Sequence, residues 1–316
     1  RSPPATRTAA PADAPQPHRR PPAAERDDGA GAPAVESKFE AQTLVLGHAS
    51  EAARGLNAAL GLDDSEVVRY LLRGERAIVE EFEAHGSDED LANLEYVLHG
   101  VACEAPLPAH IERQLQLGKY HGGELGPDDF DAGHAGMRFD DFVEHEHSRL
   151  ANLQRPHVLA LRLYTSTSYP CFNRPLRERQ RPHPFKMSVY YLSEAIKKLR
   201  TVAATLDESY YNVADLWRGL RDMTVLDEFR RRGGTELAPM STSRAKDVAF
   251  KYASSASPLV FNYKAQALSQ GVAISYLSLY PKEREYLYPP LTYLSPPLSE
   301  GTERGCVVIA VTPQMP

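Results

Sequence analysis

Apolar residues in the first part of the chain recur every three or four positions, which is the period of an amphipathic helix. Residues 49–60 are rich in alanine and predict one helix. A second helix is predicted to begin with Asp64 or Ser65 as its N-cap, because a short polar side chain can accept a hydrogen bond from the first turn. The apolar positions of this second helix are Val68, Leu71, Leu72, Val79 and Phe82. The same spacing returns at Leu91, Leu94, Val97 and Leu98.

Further helical patterns follow a polar loop predicted over residues 122–136. The acids of this loop, in PDDFDAG, lack the full spacing of a calcium loop and are interpreted as loop residues. His145 and His147 would diverge on a helix, so we interpret them as solvated. Residues 157–177 begin as a helix, and residues 186–204 predict a clearer one. The apolar positions in these regions are Phe139, Phe142, Val143 and Leu150, then Val189, Leu192, Ile196, Leu199 and Ala203. We interpret such stripes as faces that pack on a core.

After residue 212 the pattern changes to short runs typical of strands. Strands are predicted over residues 216–220, 236–240, 259–263, 272–279, 285–294 and 306–312. A short helix between the first two ends at Gly233 and Gly234, and another over residues 247–253 would have Ser243 as its cap. A helical half followed by a strand-rich half predicts an α+β fold.

The composition is that of an ordinary globular chain, with 316 residues, 42% hydrophobic and 25% charged. The formal net charge of −6 argues against a general nucleic-acid or membrane-surface binder, because both partners favour basic proteins. No apolar run approaches the roughly 18–20 residues of a membrane span. The three cysteines are far apart, which excludes a disulfide-dense scaffold and favours a reducing compartment such as the cytoplasm. Because the chain opens on Arg1 rather than Met, we expect a fragment or a processed form.

Three regions are predicted along the chain. Residues 1–36 are rich in Pro, Ala, Arg and Asp and cannot bury enough surface to offset the entropy of ordering. We therefore interpret them as a disordered tail. Residues 37–135 are predicted to form a helical N-terminal region, and residues 136–316 carry the candidate chemistry.

Candidate functional residues are concentrated in the strand-rich half. Arg218 offers a planar fork of donors suited to phosphate, and the neighbouring Gly219 permits close approach of a ligand. Ser241 ends the next predicted strand, where its hydroxyl can orient a neighbour. Glu283 and Glu285 follow a predicted turn and would share one face of a strand, where two acids can stabilise a developing positive charge. Each feature also has a structural explanation: an exposed strand arginine, a strand end that caps a helix, and a solvated strand face.

The order of these features resembles the mono-ADP-ribosyltransferase family of the R-S-E type, over residues 136–313. Family members carry an Arg in an early strand, often in a Y-R-G-like tripeptide, and here Arg218 lies in Leu216-Trp217-Arg218-Gly219. They carry S-T-S at the end of a following strand, here Ser241-Thr242-Ser243. They carry E-x-E on a turn that enters a strand, here Glu283-Arg284-Glu285. The run RLYTSTSYPCFNRPLR and the helix DVAFKYA also look like elements of the family.

The resemblance implies a helical lobe followed by two packed, mainly antiparallel β-sheets that form an NAD cleft, with residues 136–316 as the catalytic domain. It implies transfer of ADP-ribose from NAD to an arginine side chain of a protein, with release of nicotinamide. Arginine is expected because a Glu at the first position of E-x-E goes with that acceptor in this family. NAD is then a substrate, no metal is needed, and the other partner is a protein with an accessible arginine. An NAD glycohydrolase and a degenerate NAD-binding module remain as alternatives.

The resemblance also implies where NAD binds. Arg218 holds the phosphates, and the backbone of Gly219 lies near the nicotinamide amide. Ser241 positions the nicotinamide-side ribose, and Thr242 and Ser243 belong to the same site.

The two glutamates are implied to share the chemistry. Glu285 is the catalytic glutamate, positioned by Ser241 and bonded to the ribose 2′-hydroxyl, and Glu283 recruits and deprotonates the acceptor. These residue types suit the reaction, because breaking the nicotinamide–ribose bond leaves oxocarbenium character on the sugar. A fixed carboxylate stabilises that charge more in the transition state than in the ground state.

Overall fold

A computed structural model describes residues 44–47, 50–117, 129–206 and 210–316, so the predicted tail over residues 1–36 lies outside the described residues. Within these ranges the helices are α1 (Ser50–Leu60), α2 (Asp64–Leu71), α3 (Glu75–His85), α4 (Asp88–His99), α5 (Ala109–Gln116), α6 (Phe139–Val143), α7 (Glu146–Leu150), α8 (Arg155–Tyr164), α9 (Tyr169–Arg177), α10 (Lys186–Leu206), α11 (Asp227–Arg232) and α12 (Lys246–Ala253). The described strands are β1 (Leu44–Leu46), β2 (Ala214–Leu220), β3 (Gly234–Glu236), β4 (Met240–Ser243), β5 (Leu259–Ala265), β6 (Val272–Ala273), β7 (Glu285–Tyr288), β8 (Thr292–Leu294), β9 (Ser299–Glu303), β10 (Cys306–Val311) and β11 (Pro313–Gln314).

The helical lobe packs around α8 and α10. The predicted stripe on α10 is confirmed at Val189, Leu192, Ile196 and Leu199, which are all buried, whereas Ala203 is only partly buried. Buried residues of α3, α4 and α8 join the same core. This core includes residues on both sides of the boundary predicted between residues 135 and 136. The division of the chain at that boundary stays a prediction. In the described ranges, none of the helices has the length and apolar character that crossing a membrane requires.

The N-terminal helices correct three predictions. The N-cap of α2 is Asp63, not Asp64 or Ser65, and it forms a capping box with Glu66. The predicted helix over the following apolar positions is broken into α2 and α3, because Gly74 adopts a φ of 57° between them. Leu72 is 86% exposed, and Val68 and Leu71 are also exposed. The helical period identified the helices but not which face of α2 is buried.

The described strands form two sheets. The smaller sheet has the order β1-β3-β8-β11, and the larger has the order β6-β7-β4-β2-β5-β10-β9. Neighbouring strands are antiparallel except for β5 and β10, which are parallel.

Apolar side chains from both sheets fill the space between them, among them Leu216, Phe261, Tyr288 and Leu294. Helix α12 covers part of the larger sheet through Ala249, Phe250 and Ala253. The predicted α+β fold, with a helical lobe followed by two packed and mainly antiparallel sheets, is confirmed.

Two predicted strands are each divided between the two sheets. The strand predicted over residues 236–240 is in fact the end of β3 and the start of β4, with Pro239 between them. The strand predicted over residues 285–294 is divided into β7 and β8, with Pro289 and Pro290 between them. Proline has no N–H to give to a ladder, so each of these segments leaves one sheet and enters the other.

The strand predicted over residues 272–279 is shorter than expected. Only β6 is extended, and the chain then turns, with the N–H groups of Leu277 and Ser278 donating to the Ile274 carbonyl. Ile274 and Leu277 are buried against the helical lobe. The run that predicted a strand therefore includes residues of a turn that packs against the helical lobe.

Candidate functional site

The candidate residues of the sequence converge on one cleft that is open to solvent. The predicted residues that line it are Arg218, Gly219, Ser241, Thr242, Ser243, Glu283 and Glu285. They meet because β2, β4 and β7 are neighbours in the larger sheet.

The register of these strands sets the arrangement of the polar side chains. Ser243 lies opposite Trp217 on one side and opposite Glu285 on the other. Residues directly opposite in antiparallel strands point to the same face, as do residues two apart in one strand. Ser241, Ser243 and Glu285 therefore share a face at the cleft.

Arg218 lies where β2 and β4 separate. Their ladder consists of the single pair Trp217 and Ser243. Arg218 Nη1 donates to the main-chain carbonyl oxygen of Ser241 at 2.7 Å, so the guanidinium bridges the two strands. The side chain is only 7% exposed, which contradicts the alternative of an exposed strand arginine. Because a guanidinium stays charged and has several N–H donors, this buried group is suited to bind an anion that enters the cleft.

Gly219 has a structural reason to be glycine. A Cβ atom there would lie 1.9 Å from the main-chain oxygen of Ala249 and 2.7 Å from the nitrogen of Ala253. The missing side chain lets α12 pack directly on β2. The position of α12 beside the cleft thus depends on Gly219.

The S-T-S segment makes up β4 together with Met240, so the strand continues beyond residue 240, where the predicted strand ended. The Thr242 hydroxyl donates to the Tyr286 carbonyl oxygen at 2.8 Å. Ser243 Oγ donates to the Glu283 carbonyl oxygen at 2.5 Å and accepts from the Ala245 N–H at 2.8 Å. Ala245, not Ser243, occupies the N-cap position of α12, so the predicted cap is wrong. Ser243 instead ties the start of α12 to the E-x-E turn.

Glu283 and Glu285 reach the cleft by a route that the sequence did not predict. Glu283 ends a 3₁₀ turn over Pro281–Glu283, and Glu285 begins β7. Arg284 between them is left-handed, with φ and ψ both 50°. The two acids are therefore not neighbours on one strand face, and the turn brings both to the cleft. Glu285 is 6% exposed, which contradicts the alternative of a solvated strand face.

A buried ion pair connects the helical lobe to the segment that leads to this turn. Asp131 is fully buried and accepts from Arg162 Nη2 at 2.9 Å, while Tyr96 and His134 also contact its carboxylate at 3.0 Å. Burial acts to raise the pKa of Asp131, but the charge of Arg162 and the hydrogen bonds outweigh it and the pKa is lowered. The sequence interpreted this acid as a loop residue, and it does lie in a turn, but the sequence did not predict its burial or its ion pair.

The same ion pair positions the main chain before the E-x-E turn. Arg162 Nη1 donates to the Leu277 carbonyl oxygen at 2.9 Å, and the Asp131 N–H donates to that of Leu279 at 2.7 Å. The Leu279 N–H in turn donates to Thr165 Oγ1 at 3.1 Å. The helical lobe thus fixes residues 277–279, two residues before the 3₁₀ turn that carries Glu283.

The two histidines predicted to be solvated are half-buried. The rings of His145 and His147 lie 4.5 Å and 4.8 Å from that of Tyr276. Burial lowers the pKa of both imidazoles. They pack against the segment that follows β6 and do not line the cleft.

Several aromatic residues of the cleft were not predicted as site residues. They are Tyr164, Tyr169, Trp217, Tyr252 and Tyr280. Burial raises the pKa of Tyr164, and the nearby charge of Glu285 acts in the same direction. The run RLYTSTSY could have identified Tyr164 and Tyr169, but the position of Tyr252 depends on how α12 packs on β2.

In the part of the chain that the structure describes, no group of three or more His, Cys, Asp or Glu side chains is arranged to hold a metal ion.

The part of the chain that forms this cleft matches a known protein family. A family model described as NAD:arginine ADP-ribosyltransferase matches residues 137–298, just over half of the chain, and these residues include every predicted site residue. No curated protein matches the chain.

Solved structures with similar folds are also found. The ADP-ribosyltransferase HopU1 of Pseudomonas syringae pv. Tomato DC3000 is 19% identical, with a TM-score of 0.44, over 72% of this chain and 97% of that chain. The eucaryotic mono-ADP-ribosyltransferase ART2.2 is 21% identical, with a TM-score of 0.37, over 56% of this chain and 78% of that chain. The C3 exoenzyme of Clostridium limosum is 16% identical, with a TM-score of 0.42, over 54% of this chain and 90% of that chain.

Proposed function

The chain belongs to the NAD:arginine ADP-ribosyltransferase family, and from this premise we propose that it transfers ADP-ribose from NAD to an arginine side chain of a protein, releasing nicotinamide. The observation that supports this most is the convergence of a buried arginine and two glutamates on one cleft within the matched region. A cationic acceptor suits a site with two carboxylates, because one can stabilise charge on the sugar while the other attracts the guanidinium.

In the proposed binding mode, Arg218 binds the pyrophosphate of NAD. Its hydrogen bond to the Ser241 carbonyl oxygen holds the guanidinium in place before NAD arrives, so binding costs less conformational entropy. In this mode the backbone of Gly219 lies near the nicotinamide amide. Ser241, Thr242 and Ser243 form the strand against which the nicotinamide-side ribose lies.

In the proposed reaction, the bond between C1′ of the ribose and the nicotinamide nitrogen breaks. Nicotinamide leaves with the bonding electron pair, which neutralises its pyridinium charge. Glu285 bonds the ribose 2′-hydroxyl and stabilises the oxocarbenium character that develops at C1′. A guanidinium nitrogen of the acceptor then bonds to C1′ and gives its proton to Glu283.

The test is to incubate the protein with NAD and agmatine and to follow nicotinamide and ADP-ribosyl-agmatine by mass spectrometry. We expect both products from the unaltered protein. Glu285→Gln should reduce both by about a hundredfold or more, the usual cost of removing a group that stabilises developing charge. Glu283→Gln should suppress the adduct and retain part of the nicotinamide release.

Other outcomes would change the proposal. Free ADP-ribose without adduct, still dependent on Glu285, would favour the NAD glycohydrolase. An absence of nicotinamide despite NAD binding would favour the degenerate module. Equal loss of both products in Glu283→Gln would contradict the proposed division of labour between the two acids.

A further inference from the structure

A tyrosine on α12 contacts the first glutamate of the E-x-E segment. The Tyr252 hydroxyl donates to Glu283 Oε1 at 2.8 Å. Tyr252 is half-buried and, like Glu283, lines the cleft. The two residues are 31 positions apart, so only the packing of α12 brings them together.

The position of the Tyr252 hydroxyl is fixed by its helix. Gly219 lets α12 approach β2 so closely that a Cβ atom would overlap the Ala249 carbonyl oxygen. Arg221 Nε donates to the Tyr252 carbonyl oxygen at 2.8 Å, and the next residue, Ala253, is fully buried. A phenol ring has few rotatable bonds, so a fixed main chain leaves the hydroxyl with little freedom.

The main chain of Glu283 is held independently of this contact. Ser243 Oγ donates to its carbonyl oxygen at 2.5 Å, and its N–H donates to the Tyr280 carbonyl oxygen at 3.0 Å. The side chain of Glu283 is long and has several rotatable bonds. Tyr252 fixes its far end, and a carboxylate bonded at one oxygen can still accept hydrogen bonds from a guanidinium.

We propose that Tyr252 is a positioning residue that orients the Glu283 carboxylate toward the acceptor arginine. The proposal rests on the proposed function, in which Glu283 receives the proton of the acceptor. It predicts that Tyr252 matters for transfer to arginine and not for cleavage of the nicotinamide bond. A residue needed only for the fold of the cleft would affect both steps.

The experiment uses Tyr252→Phe, Glu283→Gln and the double variant, with agmatine as the acceptor. We expect Tyr252→Phe to lower kcat/KM for agmatine about tenfold, the usual effect of losing a hydrogen bond to a charged group. NAD hydrolysis and the KM for NAD should change less than about twofold. In the Glu283→Gln background the same substitution should have little further effect on transfer, because residues that act through one another are not additive. The matched control is Tyr293→Phe, since Tyr293 donates to the Arg232 carbonyl oxygen at 2.8 Å from β8 and does not line the cleft.

Three results would overturn the proposal: unchanged agmatine transfer in Tyr252→Phe, an equal loss of transfer and hydrolysis, or the same loss in both Glu283 backgrounds. Failure of the proposed function is distinguishable from failure of the Tyr252 proposal, because the unaltered protein itself would then form no agmatine adduct. Urea unfolding of the unaltered protein, the two single variants and the double variant measures the Tyr252–Glu283 contact without an activity assay. A coupling of roughly threefold or more in the unfolding equilibrium constant is expected, and additive effects would contradict the contact itself.

Discussion

Replacing Asp131 by Asn tests how much its buried ion pair with Arg162 stabilises the folded protein. Asn has nearly the same shape as Asp but removes the charge that faces Arg162. Asp131 is 0% exposed and Arg162 is 2% exposed, so water cannot take over the lost interaction. The substitution therefore leaves an uncompensated guanidinium inside the protein.

The expected cost follows from this burial. Removing one partner of a buried ion pair typically costs about 3–5 kcal/mol of unfolding free energy. That is a large part of the roughly 5–15 kcal/mol that stabilises a typical domain. The exposed pair of Arg174 and Glu178 has a similar distance, 2.8 Å, but its side chains are 66% and 55% exposed. Glu178→Gln is thus a matched control that should cost at most about 0.5 kcal/mol.

Urea unfolding measured by circular dichroism and by the fluorescence of Trp217 gives the two free energies, provided that both transitions coincide. With a slope of about 3 kcal/mol per molar urea, the midpoint of Asp131→Asn should fall by about 1 M or more. A double variant, Asp131→Leu with Arg162→Met, should regain much of the loss because no unpaired charge remains. A loss below about 1 kcal/mol in Asp131→Asn, or a double variant no more stable than the single one, would refute this account.

The same pair predicts acid sensitivity. The folded pKa of Asp131 is lowered from its ordinary 3.8, so its contribution to stability is present above that value and is lost as the pH falls through the lower folded pKa. Unfolding free energies measured between pH 5 and pH 2.5 should therefore fall more steeply in the unaltered protein than in Asp131→Asn.

Three further substitutions test other parts of the structure. Gly219→Ala should destabilise the protein by roughly 1–3 kcal/mol and weaken NAD binding, because the new Cβ would displace α12; unchanged urea unfolding would contradict the close packing. Arg218→Lys should weaken NAD binding about tenfold by calorimetry, since an ammonium cannot replace the planar fork, and equal affinity would remove Arg218 from the phosphate site. His183 is buried, its pKa is lowered from 6.5 to about 4, and its Nδ1 accepts from the Phe185 N–H. The contribution of His183 to the unfolding free energy should thus be complete above pH 6.5 and decrease as the pH falls toward 4. His183→Asn should make the unfolding free energy less dependent on pH in this range. An unchanged dependence would show that His183 is not responsible.

The periodic pattern of apolar residues correctly predicted those elements that pack on the same core along their whole length. The stripe of α10 packs on the lobe over many turns, so its helical period identified both the element and its buried face. On α2 the same period failed to identify the buried face, since Val67 is buried while Val68 and Leu71 are exposed. The prolines that divide β3 from β4 and β7 from β8 were visible in the sequence, but not that each pair of strands belongs to two sheets.

The sequence by itself identified the arginine, the S-T-S segment and the two glutamates of the cleft, but not its aromatic residues. Arg218, the S-T-S segment and the E-x-E segment, in that order, indicated the family and an NAD-dependent transfer. Their identity and order are local properties that a chain displays whether or not it is folded.

Only the tertiary structure decided how those groups meet. The strand register places Ser243 opposite Glu285, and the left-handed Arg284 turns Glu283 toward the same cleft. Contacts over long sequence distances, from Asp131 to Arg162 and from Tyr252 to Glu283, fix the turn from both sides. No local pattern marks these residues, because burial and the choice of partner arise only when the helical lobe, α12 and the larger sheet pack together.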